Sequence, residues 1–574
     1  MNIYAAGLLI SMIVYLAVGN YAGRKVRKLD DYFVAGRQAP TLLIVGTLVA
    51  SLMSTNAFMG ETGMAYSGNP SLIVLLTAVN CIGYTAGGLF FGRFLRRSRS
   101  LTVAEYFGRR FDSRRVRAVS GVTVLLGCTA YLVMVTQGAA TIIHEVSGLS
   151  FFLTLPIAWA GYTLFTLYSG SRGVVLTDTL MFLLFASVAF LGLAFIVDQG
   201  GGWFAAVREL AVLDSRPDIL SWHGTVGEET PWATPVEALV WSMILGIAWG
   251  IVVAVSPWQA SRYLMARDEH VVIRSATITA GMVMILYAVL MFSGAAVNLL
   301  NPAIEPAQEN MIWAAMNAMP PLLGVLIMSG ILAAALSSAS TFLSLSGFSI
   351  SNDIRMPPDP EDPRSLGQSR WAMFGVSLAA LLIAYLLPEG RLFWITYFAG
   401  TLFASSWGPV AFMSVWSGRV TEAGAFWGII AGLTGNLLFN AISVLGLAEL
   451  PVYLNPILVG VVLSWITIEA VSARGRVSAK EHAFRAELHM TPESEFQGAW
   501  VHRTVLWSWA LIAAGVLTAG LMTFFYALPY REAAGVDGTG EIAMSLGVGL
   551  SMIVAGALAR WGTLRSYGDR ASDK

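Results

Sequence analysis

Five hydroxyl side chains crowd the middle of one apolar stretch, residues 329–350, SGILAAALSSASTFLSLSGFSI: Ser337, Ser338, Ser340, Thr341 and Ser344. On a helix, Ala334, Ser337, Ser338 and Thr341 follow an i, i+3, i+4, i+7 spacing and share one face. Ser337, Ser340, Thr341 and Ser344 form an overlapping stripe one step around. Two chemistries fit such a run. Small residues let helices pack closely, with each hydroxyl bonded back to the i−4 carbonyl; or the row of neutral oxygens receives a bare cation. A second unusual stretch, 41–67, opens as a good apolar helix and then carries Ser51, Ser54, Thr55, Asn56, Gly60, Glu61 and Gly63. Irregular backbone at membrane depth survives only where protein or a water-filled cavity covers it. The spacing therefore predicts a helix broken near Ser54–Asn56, with free carbonyls and amides facing a ligand. Glu61 and Asp178 are acidic residues within apolar segments, where a charge is costly and marks function by default. Arg172, six residues before Asp178, offers that carboxylate a plain ion pair as the competing reading.

The elements that hold these residues follow from composition. Of 574 residues, 56% are hydrophobic and only 12% charged, and mean hydropathy is +0.66; a soluble domain carries about 25% charge. Fifteen apolar segments reach the roughly 20 residues that a membrane span needs, so an all-α polytopic membrane protein of about 15 transmembrane helices is expected. The first segment has no basic residue before it, and Arg24, Lys25, Arg27 and Lys28 follow it, which argues against a cleavable signal and places the N-terminus outside. Alternating from there puts 31 of the 35 Lys and Arg in inside loops and the C-terminus in the cytoplasm. Net charge is zero, and nucleic acid is not expected as a partner. Cys81 and Cys128 both fall inside spans, so neither a disulfide framework nor a metal site is expected. No paired Cys/His spacing, GxSxG or Walker loop is present, and no hydrophilic stretch is large enough for an appended enzyme domain; an enzyme is not expected. Pro257 removes a backbone donor and disfavours helix at Ser256, so segment 235–261 is a second interrupted helix. Two interrupted helices, each opening a run of five spans, fit a five-plus-five inverted repeat.

Several motifs carry a resemblance: DYFVAGRQAP (31–40), TVAEYFGRRF (102–111), the Thr-Asp of VVLTDTLMF (176–182), WQASRYLMARDEHVVIRSA (258–276) and GPVAFMSVWSGRVTEAGAFWGIIAG (408–432). Together, in this order, they resemble the sodium/solute symporters. That resemblance implies the inverted-repeat fold of the leucine transporter. The expected organisation is residues 1–30 as an extra N-terminal helix and first inner loop, 31–198 as the first five-helix repeat and 199–233 as an outer loop. Residues 234–420 form the second repeat, and 421–574 hold about four peripheral helices and the tail. It further implies a sodium site made by the carbonyls of Ala50, Met53 and Ala334 and the hydroxyls of Ser337 and Ser338. Five neutral hard oxygens suit an alkali cation, whereas a charged cage favours Ca2+. Asp178, Ser337, Ser340 and Thr341 match the pattern of a second sodium found in some relatives.

The resemblance places the solute between the two broken helices and the tenth core helix, against Thr55, Asn56, Ala57, Phe58, Glu61, Trp249, Gln259 and Tyr397. Ala57 stands where sugar-carrying relatives have a polar contact, which disfavours a sugar. With no Arg or Lys read within any span, a substrate carboxylate would rest on helix-end amides or on sodium, while Glu61 and the aromatics suit a cationic amine. The function expected is sodium-coupled import of a small organic solute, amino acid or organic carboxylate-like, by a protein of the bacterial inner membrane. It is expected to work as a monomer with lipid and solute as its only partners and Na+ as its only ion. The alternatives are a solute sensor on the same fold and a proton-coupled carrier using Glu61 and Asp178.

Overall fold

Proline and short polar residues open the helices. Pro70, Pro235, Pro257, Pro321 and Pro456 stand at first turns, where a missing N–H leaves nothing unpaired. Thr102, Ser113, Thr234, Asp268 and Thr421 accept the amide three residues on. The computed structural model describes residues 2–24, 26, 28–228, 230–356, 363–387, 392–448 and 450–568. Among these residues there is no strand, only an isolated bridge between Ala39 and Ala266.

Among the described residues, eleven helices are long and apolar enough to cross a membrane, or twelve if the bent pair Thr41–Leu52 and Asn56–Tyr66 is one span. The other three of the fifteen expected segments are helical too. Phe151–Leu164 and Pro456–Ser472 are short, and Leu392–Trp416 is diluted by its Thr, Ser, Gly and Pro residues. Fifteen is thus an upper count, and eleven or twelve is what length and hydropathy alone support. The serine-rich stretch lies in a long helix that begins at Pro321, after a short separate helical segment over residues 310–318.

Both interruptions fall where the residues place them. The first broken helix bends by 55°, with Met53 at φ −80, ψ 80. The second stops at Val255, passes through extended Ser256 (ψ 148) and restarts at Pro257. It continues to Met265, beyond the expected end at 261, and so carries Arg262 into the protein. This overturns the reading that no Arg or Lys lies in a span.

The serine-rich helix Pro321–Phe348 packs along Phe151–Gln199, which carries Asp178 and also packs against the first broken helix. That last contact is close because Gly46 lacks a side chain: a Cβ there would meet Thr179 at 2.6–2.9 Å. Within Phe151–Gln199 two helices meet at a kink at Gly170, at φ 53, ψ −155, where a Cβ would stand 2.3 Å from the Tyr32 ring. Only glycine holds that conformation readily. Arg97 donates twice to Glu269 (2.5 and 2.7 Å) and Tyr567 donates to the same carboxylate (2.5 Å), tying the C-terminal segment to the helix that Glu269 opens.

Candidate functional site

The first break frees a carbonyl by redirecting one amide. Ser54 N–H, which would close the helical bond on Ala50, donates instead to Leu52 O at 3.0 Å. The Ala50 carbonyl then faces Ser338, whose Oγ lies 3.5 Å from it. Ala50, Met53, Ala334, Ser337 and Ser338 are all buried, the last four of them against the helices just described. Ser338 therefore belongs to the face turned to the break. Ser344 bonds back to Ser340 O at 2.7 Å, which is the plain packing geometry of a membrane hydroxyl.

Asp178 joins four helices. Its Oδ1 accepts from Ser337 (2.7 Å) on the serine helix, and its Oδ2 accepts from Thr47 (2.5 Å) on the first broken helix. Arg262 of the second broken helix lies 3.5 Å from Oδ2 and also donates to Thr341 Oγ1. The side chains are 0% and 2% exposed, so this is a fully desolvated pair. The cation at Asp178 is thus Arg262; Arg172 instead pairs with Asp31 at 3.1 Å. Ser340 is turned to Ser337 O (2.8 Å). The four residues expected at a second sodium stand together, with a guanidinium already on two of them.

A narrow cavity lies beside the break. It is lined by Asn56 and Glu61 of the first broken helix, Asn80, Tyr131, Trp249, Tyr287 and Tyr397, together with Leu52, Leu76 and Thr77. Tyr397 donates to Glu61 Oε1 at 3.3 Å, and the Tyr287 hydroxyl lies beside the same carboxylate. Trp249 and Tyr397 meet edge to face at 5.2 Å.

The profile of the Sodium:solute symporter family matches residues 32–432. The chain belongs to that family. Similar curated members include the sodium/proline symporter of Escherichia coli strain K12, 24% identical over 520 residues, covering 85% of this chain and 98% of the relative. The sodium/pantothenate symporter of the same strain is 23% identical over 468 residues, covering 80% and 93%. Among solved structures, a substrate-bound, outward-open Na+-coupled sialic acid symporter superposes with a TM-score of 0.69 at 19% identity, over 84% of this chain and 99% of that one. A nucleobase-cation-symport-1 family transporter in a closed conformation gives 0.51 at 12%, over 79% and 98%. These two likenesses concern the fold.

Within this symporter fold, four of the eight residues expected at the solute share the cavity: Asn56, Glu61, Trp249 and Tyr397. The others face elsewhere. Gln259 donates to Leu48 O and Ser51 Oγ, both at 3.3 Å. Phe58 packs edge-on against Phe185 at 5.6 Å, Thr55 sits under Gly138, and Ala57 is buried away from the cavity. Sequence reading missed Asn80, Tyr131 and Tyr287. Asn80 was detectable as a lone amide in an apolar run, whereas the tyrosines gave no signal. It also missed Arg262, because the expected interrupted segment stops at 261, one residue short of it, whereas the helix runs on to Met265.

Proposed function

We propose that this family member is a sodium-coupled secondary symporter that imports a small organic solute by alternating access. Sodium is the coupling ion, and so cargo rather than a resident cofactor. It binds to the carbonyls of Ala50, Met53 and Ala334 and the hydroxyls of Ser337 and Ser338. The observation that carries this reading is the Ala50 carbonyl, released from its helical bond and turned to Ser338 Oγ at 3.5 Å. A cation there ties the serine helix to the broken one and favours whichever arrangement brings them together, as differential affinity requires. A second sodium takes Asp178, Ser337, Ser340 and Thr341 only when Arg262 leaves them, so ion and guanidinium compete. The solute occupies the cavity between the broken helices, beside Glu61. The N-terminus faces out, the C-terminus faces the cytoplasm, and one chain suffices for the cycle.

The test is the melting temperature of the purified protein in NaCl against KCl, followed by uptake driven by a sodium gradient at clamped pH. Sodium is expected to stabilise the wild type, and Ser338→Ala is expected to lose that effect while melting normally in KCl. An equal response to both salts in the wild type, or an undiminished sodium response in Ser338→Ala, would overturn the assignment.

A further inference from the structure

Asp178 has its cation, and Glu61 has none. The Glu61 side chain is 5% exposed, and its Oε2 has no donor. No Arg, Lys or His lines its cavity. Two further acceptors of the same cavity, Asn56 Oδ1 and Asn80 Oδ1, also lack donors. Four rings, Tyr131, Trp249, Tyr287 and Tyr397, share the remaining wall with Leu52, Leu76 and Thr77. A buried carboxylate without a counter-charge is costly, and unpaired buried acceptors add to that cost. Ring faces, in turn, attract a cation over them. A carboxylate, two amide oxygens and four aromatic rings together make a receptor for an N–H-bearing cation. The carboxylate repels an anion, and a neutral solute that donates to these oxygens still brings the carboxylate no counter-charge.

We propose that this cavity selects solutes carrying a protonated amine. The ammonium group donates to Glu61 Oε2 and to the Asn56 and Asn80 Oδ1 atoms, and the rings cover the adjoining carbon. This rests on the symporter reading and names its solute class. Three acceptors match the three hydrogens of a primary ammonium better than a quaternary nitrogen, which has none. An amino acid enters by its ammonium end; a monocarboxylate is excluded. Free space in the cavity is about 10 Å3, roughly what one water molecule needs. The lining side chains must therefore move apart to admit a solute.

The experiment compares four probes of similar size and different charge, at equal concentration in saturating NaCl: n-butylamine, proline, butyramide and butyrate. Melting temperature of the full-length wild-type protein is read for each. The amine and proline are expected to raise it, and the amide and the carboxylate to leave it unchanged. In Glu61→Gln the apparent affinity for n-butylamine is expected to fall about thirtyfold or more, the loss typical of removing one partner of a buried charge pair. The proposal is overturned if butyrate or butyramide stabilises as strongly as the amine, if neither n-butylamine nor proline shifts the wild type, or if Glu61→Gln retains the amine response. Should Glu61→Gln fail to fold, the wild-type charge series decides alone. The sodium-induced shift, measured in the same samples without probe, reports separately on the symporter reading.

Discussion

Replacing Arg262 by Gln exposes the competition at Asp178 directly. The pair is desolvated, with side chains 0% and 2% exposed. Removing one partner of such a pair typically costs about 3–5 kcal/mol, because the remaining charge is stranded. Sodium can take the vacated position against Asp178, Ser337 and Thr341. An ion that binds only the folded state stabilises by RT ln(1 + [L]/Kd), so recovering about 3 kcal/mol needs roughly a 150-fold excess over Kd. At about 150 mM NaCl that corresponds to a Kd near 1 mM, a weak site of the kind a transport cycle needs. The assay is thermal unfolding of the purified variant and wild type across NaCl concentrations, with KCl holding ionic strength constant. Arg262→Gln is expected to melt far below wild type in KCl and to recover most of the loss in NaCl, giving a larger sodium dependence than wild type. Its sodium activation of uptake is expected to be steeper as well. Equal destabilisation in both salts, or a sodium dependence no larger than wild type, would refute the idea that Arg262 and an ion share one place.

Other consequences are simpler to check. Ser344→Ala, which removes only a bond back to Ser340 O, is expected to leave sodium dependence intact and to change stability by under about 1 kcal/mol. Gly170→Ala forces a side chain into φ 53, ψ −155 and against Tyr32. It should lower stability by about 2–4 kcal/mol, and an unchanged melting temperature would remove the steric argument. Burial, helped by Glu269 and Asp268, pushes the inner-loop residue Glu495 up to about 7. The folded protein thus binds a proton that the unfolded chain releases near 4.5. Stability from this group falls as pH rises between those values. Glu495→Gln is expected to flatten that slope, as read from melting temperatures between pH 5 and 8.

Much of the fold was legible because a membrane leaves few ways to satisfy a backbone. Apolar length marks the helices, and Ser54–Asn56 and Ser256–Pro257 interrupt otherwise good helical runs, so both breaks could be placed within a residue or two. The serine helix was legible for the same reason, since hydroxyls at one helical face are conspicuous in an apolar run. What stayed hidden was partnership across the fold. Arg172 is near Asp178 in sequence, yet Arg262 reaches it in space, because a proline break redirects a helix without ending it. Tyr131 and Tyr287 lie in helices that read as ordinary apolar spans, and only their convergence on Glu61 gives them meaning. Gln259 and Phe58 lie on the two broken helices but outside the lining of the cavity beside Glu61.

Gly170 also sets a lever. Asp178 stands eight residues along the helix from it, which at 1.5 Å per residue is about 12 Å. A tilt of about 10° at the glycine would swing the carboxylate by roughly 2 Å. That is enough to carry it out of reach of Ser337, now 2.7 Å away, and of Arg262 at 3.5 Å. A small rotation at one residue would therefore break the bonds that Asp178 makes together rather than one by one, leaving Arg262 on Thr341.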